Sequence, residues 1–230
     1  MRKGDLKKQE ILQTAETLFC RKGYEETSIQ DILDILHSSK GSFYHHYPSK
    51  ESLLEGMCEK RAQVLYEAVD AQITGELTPE ESLNRLLTGI MPLSGEKLSF
   101  LLMLLPVFSL PEGRSVKTAY CDALAAAFRP AVIRELERGK AEGRLFFLSA
   151  EHLADQALLI VNGLWRGLCD RILLNERQAG GPADPSELLS LIDQARASLE
   201  KMLSLPFGSL DLVSLQEIRA LSEQIHVRWK

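Results

Sequence analysis

Thirteen residues concentrate the chemistry of this chain. From Ser38 to Lys50 the sequence reads SSKGSFYHHYPSK, so that Ser38, Ser39, Lys40, Ser42, Tyr44, His45, His46, Tyr47, Ser49 and Lys50 surround one apolar anchor, Phe43. Hydroxyls, amines and the free N–H groups of a helix start are the donors that hold phosphate oxygens. Core burial alone does not justify so short and polar an element; contact with phosphates does. His45 and His46 invite a metal reading. Adjacent helical residues point about 100° apart, however, so the two alone form no compact site. Neither G-x-S-x-G, H-E-x-x-H, a phosphate loop nor a dinucleotide fingerprint occurs. The chain reads as a binding protein, not an enzyme, with no cofactor and no metal.

The composition bounds the partners. The 230 residues are 45% hydrophobic and 26% charged, an ordinary globular balance with enough chain for a sizeable core. Net charge is −5, from 27 basic and 32 acidic residues, so no global basic field marks nucleic acid. Locally the balance differs: residues 1–50 hold eight basic and seven acidic side chains, and the acidic excess lies beyond them. Cys20, Cys58, Cys121 and Cys169 lie at least 38 positions apart without a C-x-x-C pair, which fits reduced, buried thiols in a cytosol. The opening MRKGDLKKQEILQTAE lacks the continuous apolar stretch of a secretory signal, so a cytoplasmic location is expected. LSFLLMLLPVFSL, residues 98–110, is the most apolar run. Thirteen residues broken by Pro106 are too few for roughly 30 Å of hydrocarbon, so no membrane is expected and the run reads as a buried helix ending near Pro106.

Helical punctuation runs throughout. Ile11, Leu12, Ala15, Leu18 and Phe19 recur at helical spacing and Arg21-Lys22-Gly23 stops them, predicting a helix over about 7–22. Thr27 and Gln30 suggest a capping box for a short second helix ending near His37. Ser38 or Ser39 caps a third, ended by Pro48, and Ser49 caps a fourth over about 50–74 with Leu53, Met57, Val64, Leu65 and Ala68 inward. Thr78-Pro79-Glu80-Glu81 opens a helix over about 79–90. Others are expected at about 95–105, 114–141, 150–175 and 185–204, with a linker from Asn175 to Asp184 that contains Gly180, Gly181 and Pro182. Leu212, Leu215, Ile218, Leu221 and Ile225 predict a further amphipathic helix over about 209–228. No strand alternation of useful length appears. The expected fold is all-α: an N-terminal three-helix helix-turn-helix domain over 1–50, a connecting fourth helix, and a larger helical domain over 51–230.

The segment TSIQDILDILHSSKGSFYHHYPSKESLLEGM, with the preceding LFCRKGYEETS, resembles the DNA-binding domain of the TetR (tetracycline repressor) family of bacterial transcription regulators. Residue types, spacing and helix boundaries agree together over about residues 7–55. Two positions depart from the family pattern. His37 stands where glycine or asparagine is usual in the turn, and Leu36 where a smaller residue is common. Histidine tolerates the left-handed conformation better than most side chains, so the turn is expected to survive.

The resemblance implies a sequence-specific regulator that binds double-stranded DNA as a homodimer at a near-palindromic operator. It implies phosphate contacts from Ser28, Tyr44 and Lys50, base-edge or flanking contacts from Lys40, Ser42, His45 and His46, and further contacts from Thr27, Ser39 and Gly41. Gly41 lets the backbone approach the duplex. Tyr44 and Tyr47 have a competing reading as core aromatics, favoured for Tyr47.

The remainder reads as a sensor and dimer module. Leu153, Ala157, Val161, Leu164 and Leu168 on one helix, and Leu188, Ile192, Ala195, Leu199 and Met202 on the next, suit a four-helix dimer interface, the alternative being purely internal packing. Tyr66, Phe100, Met103, Phe108, Tyr120, Phe128, Asn162, Trp165 and Arg166 describe an apolar, sparsely polar pocket for a small-molecule effector, although each is individually also a core residue. Helix four is expected to carry a ligand signal from its far end to the DNA. A repressor released by such a ligand is the leading expectation. The alternative is an activator, or a regulator controlled by a protein partner without a small-molecule site.

Overall fold

The computed structural model describes residues 3–91, 96–108, 110, 113–179 and 183–229, among which all regular structure is helical. In chain order the helices are α1 (Lys3–Lys22), α2 (Ile29–Ile35), α3 (Lys40–His46), α4 (Lys50–Asp70), α5 (Pro79–Gly89), α6 (Glu96–Val107), α7 (Gly113–Ala141), α8 (Ala150–Ala179), α9 (Pro185–Leu203) and α10 (Leu215–Trp229). Contacts divide the chain into two compact units. One comprises 1–62 with 99–123, and the other 63–98 with 124–230.

In the first unit, Ile11, Ala15 and Phe19 of α1 are wholly buried, as are Ile32 of α2 and Phe43 of α3. The three on α1 recur at four-residue steps and therefore form one stripe. Arg61 of α4 reaches back to α1, where its Nε donates to Glu16 at 2.6 Å. The inward face of α4 is Leu53, Leu54, Met57, Cys58, Ala62, Leu65 and Val69, so Leu53, Met57 and Leu65 are inward as expected, whereas Val64 and Ala68, expected inward, are exposed. The actual stripe is offset by one residue from those two.

In the second unit, α5 begins as expected. Thr78 accepts from the Glu81 N–H, Glu81 reaches back to the Thr78 N–H, and Pro79 occupies the first turn. Gly89 ends α5 against α4, where a Cβ would lie 2.6 Å from Val69 Cγ2. The tail helix starts later than expected, at Leu215, because the Ser214 hydroxyl caps the Glu217 N–H at 3.2 Å. α10 packs on α8 and α9, burying Ile218, Leu221 and Ile225. The buried carboxylate of Glu200 accepts the Leu210 N–H at 3.0 Å and fixes the connecting segment. α8 extends to Ala179, so the expected linker is helical at its start, and Gly180, Gly181 and Pro182 lie outside the described residues. Cys58, Cys121 and Cys169 are buried as expected, but Cys20 is exposed. Among the described residues no helix is long and apolar enough to cross a membrane.

Candidate nucleic-acid interface

The box that starts α2 pairs Ser28 with Asp31, one position later than the Thr27–Gln30 pair: Ser28 Oγ accepts the Asp31 N–H at 3.1 Å, and Asp31 Oδ2 accepts the Ser28 N–H at 2.7 Å. Thr27 is fully buried and its hydroxyl donates to the Gly23 carbonyl at 2.7 Å. Thr27 therefore braces the α1–α2 turn and presents no group to a partner. Ser28 is exposed, but its hydroxyl donates to Asp31 at 2.8 Å. The Ser28 backbone and hydroxyl, helped by Lys22, hold the Asp31 carboxyl down at about 2. A fixed negative charge thus stands at the start of α2.

The turn between α2 and α3 survives the histidine. His37 takes φ 45°, its N–H donating to Asp34 at 3.4 Å, while the Ser38 N–H donates to Leu33 at 3.0 Å. This paired closure is the left-handed helix end that usually employs glycine. Two residues later Ser39 starts α3 by accepting the Ser42 N–H at 3.3 Å.

Seven residues of α3 then separate into two faces. Phe43 is wholly buried and Tyr47 is 3% exposed, four positions apart and 6.1 Å between ring centroids. Lys40, Gly41, Tyr44 and His45 are exposed, with Tyr44 at 51%; Ser42 and His46 are half-buried. Positions 40 and 44, and 41 and 45, are four apart, so these side chains share the outward face. Phe43 holds the helix down and the other face is left to solvent. Gly41 meets no packing demand, since a Cβ there would touch only Ser39 Oγ at 3.9 Å.

His45 and His46 stack edge to face at 5.0 Å. Burial, and then the neighbouring His45 and Lys8, push His46 below its ordinary value, which favours its neutral form. Ser49 opens α4 by accepting the Ser52 N–H at 3.1 Å. Lys50 begins that helix with its ammonium 4.1 Å from the Tyr24 ring centroid and 3.5 Å from the Glu25 carbonyl.

A family profile described as "Bacterial regulatory proteins, tetR family" matches residues 11–57, the span that holds α2, the left-handed turn and α3. Residues 11–57 are a tetR-family domain. Over 114 residues it is 31% identical to the HTH-type transcriptional regulator YerO of Bacillus subtilis, covering 48% of this chain and 39% of that protein. Over 49 residues it is 41% identical to the HTH-type transcriptional repressor KstR2 of Mycolicibacterium smegmatis, covering 21% and 24%. The chain thus spans well under half the length of these curated relatives. The fold extends further than the sequence likeness: the crystal structure of RolR in complex with resorcinol superposes with a TM-score of 0.54 at 17% identity, over 96% of this chain and 95% of that one. A tetR-family N-terminal domain followed by a helical C-terminal domain describes the whole chain.

The expected effector residues fall into two sets. Phe100, Met103, Phe108 and Tyr120 belong to the first unit, where Phe100 meets Tyr120 edge to face at 5.5 Å and the Arg61 guanidinium lies 5.4 Å from the Phe100 ring. Tyr66, Phe128, Asn162, Trp165 and Arg166 belong to the second, where Tyr66 meets Phe128 at 5.5 Å. The Trp165 indole N–H donates to the buried Asn162 Oδ1 at 2.9 Å, while Arg166 is exposed.

The expected dimer residues Leu153, Ala157, Val161, Leu164, Leu168, Leu188, Ile192 and Leu199 are buried within the single chain; Ala195 and Met202 are half-buried. The outward face of the same two helices is a shallow cleft of about 330 Å³ containing Ile160, Gly163, Gly167, Leu191, Ala195 and Ser198, with Leu164 at its base. A second cleft, along α5 and residues 211–217, was not expected from the sequence; its two walls are more than 120 positions apart and carry no shared motif.

Proposed function

We propose that this protein is a cytoplasmic homodimeric repressor that binds a near-palindromic operator through α3 and is released by a small apolar or amphipathic effector. The outward face of α3 carries the reading. Lys40, Tyr44 and His45 stand on a helix anchored from behind by Phe43, with an unencumbered glycine beside them, and Lys50 stands at the start of α4 where an amine and helix N–H groups share a phosphate. The seven residues of α3, about 10 Å long, fit within the major groove, which is about 12 Å wide.

Dimerisation follows from symmetry. One short helix makes few contacts, and two-fold pairing places two of them on successive turns of the duplex. The outer α8–α9 cleft supports this reading. At Gly163 and Gly167 a Cβ would find no atom within 4 Å, so the groove admits a partner helix, and Ile160 and Leu191 supply apolar rims. KstR2 is named a repressor and RolR was crystallised with resorcinol; both support repression and an effector here. The buried aromatics around Phe100–Tyr120 and Tyr66–Phe128 are the candidate surroundings for such a molecule. Selection of duplexes from random DNA with the purified chain, followed by a screen for compounds that release the selected duplex, tests the proposal. An enriched two-half-site sequence and a releasing compound are expected. Failure to enrich any sequence refutes operator binding, and monomeric protein holding the operator at full affinity refutes the dimer.

A further inference from the structure

We infer that the cleft along α5 and the 211–217 segment binds a small zwitterion of the α-amino-acid class. Its volume is about 390 Å³, within the range of small-ligand sites. Buried side chains of Val69, Met91 and Leu212 form an apolar floor, and Arg85, Asp211 and Glu217 stand around it.

The rim is held in place. Asn84 Oδ1 accepts the Asp211 N–H at 2.9 Å and the Thr88 hydroxyl donates to the Asp211 carbonyl at 3.0 Å, stitching the C-terminal segment to α5. Arg85 Nη1 donates to the Gln72 carbonyl at 2.8 Å, which ties the guanidinium to another residue of the cleft lining. Glu217 Oε2 accepts the Ser214 N–H and hydroxyl, each at 2.8 Å, so its carboxylate is positioned by the start of α10. Both carboxylates come from one segment and the cation comes from α5, with the apolar floor among them.

That charge arrangement selects the ligand. A simple carboxylate satisfies Arg85 but meets Asp211 and Glu217, and a simple amine does the reverse. A molecule with both groups pairs both signs, its carboxylate on Arg85 and its ammonium toward Asp211 and Glu217, while a short apolar side chain covers the floor. This site uses none of the aromatic residues assigned above to the effector, and it is tested without DNA.

The test is calorimetric titration of the full chain with L-leucine, then with glycine and the other eighteen standard L-α-amino acids, each up to about 10 mM or its solubility limit, a concentration that detects even millimolar affinity. Saturable binding of L-leucine or another apolar member is expected. For L-leucine, 4-methylpentanoate and 3-methylbutylamine, which each keep one charge, are expected to bind about ten- to hundredfold more weakly, as are the Arg85→Gln and Asp211→Asn variants. The Asp211→Asn change leaves the backbone bonds to Asn84 and Thr88 in place, and its unchanged melting temperature separates lost binding from lost structure. No saturable binding by any of the twenty, equal binding by the single-charge analogues, or undiminished binding in both variants overturns the inference.

Discussion

Replacing Tyr47 with phenylalanine tests how α3 is anchored. The ring is 3% exposed and packs beside Phe43, yet its hydroxyl makes no hydrogen bond with any described residue. A buried hydroxyl without a partner carries a desolvation cost of about 1–3 kcal/mol. Removing it leaves a gap of a single atom, whose lost contacts offset part of that gain. The expected net effect of Tyr47→Phe near pH 8 is a stabilisation of about 1 kcal/mol.

The pH dependence supplies an independent sign. Burial, reinforced by the negative charge of Glu59, pushes the phenol from 10.0 up to about 12. Folding therefore favours the neutral phenol, and the stability tied to it is present below pH 10 and lost as the pH rises toward 12. At about pH 11 the unfolded tyrosine is mostly ionised and the folded one mostly neutral, which costs the wild type about 1.4 kcal/mol that the phenylalanine variant does not lose. Urea unfolding of both proteins near pH 8 and pH 11, followed by circular dichroism, measures the difference. A variant less stable than wild type by more than about 1 kcal/mol near pH 8 would show that the hydroxyl has a partner, and a gap that fails to widen near pH 11 would refute the burial argument.

Gly89→Ala is expected to destabilise the protein by about 1–3 kcal/mol, because its Cβ would press on Val69 at 2.6 Å; Val69→Ala in the same chain should recover much of the loss, as a double-mutant cycle by thermal unfolding would show. Thr27→Val should cost about 1–2 kcal/mol by leaving the Gly23 carbonyl unpaired, with DNA affinity of the folded protein unchanged, read by unfolding and by gel shift. Lys50→Ala should weaken binding to all duplexes alike and reduce the slope of log K against log salt by about one, measured by filter binding.

Much of this architecture is legible in the sequence, for identifiable reasons. Helix starts written as Ser39, Ser49 and Thr78-Pro79-Glu80-Glu81 act through their own side chains within three residues, so local reading finds them. The left-handed turn at His37 is legible for the same reason. At Thr27-Ser28 two hydroxyls stand side by side, and only the packing of the α1–α2 turn decides that Thr27 faces Gly23 while Ser28 takes Asp31. The outward face of α3 follows from one anchor, Phe43, and a four-residue step.

Longer-range features are less accessible. α8 is apolar on two sides, and the pattern cannot say that Leu153, Val161 and Leu168 fill the chain's own core while Ile160 and Gly163 face outward. The nine candidate effector residues likewise divide between two units because α6 and the first part of α7 cluster with the N-terminal helices. Nothing local joins Arg85 to Asp211 and Glu217 either, since the cleft exists only once residues 211–217 lie along α5.

The central claim, that the exposed face of α3 reads DNA sequence, is tested most directly by fluorescence anisotropy with the selected duplex and a scrambled one. The full chain and a Lys40→Ala, Tyr44→Ala, His45→Ala variant are compared across about 50–200 mM salt. The account predicts that the wild type prefers the selected duplex by at least about a thousandfold, and that the variant, still folded, retains only weak, salt-sensitive binding that no longer distinguishes the two. A folded variant that discriminates between the duplexes as well as the wild type does would contradict it.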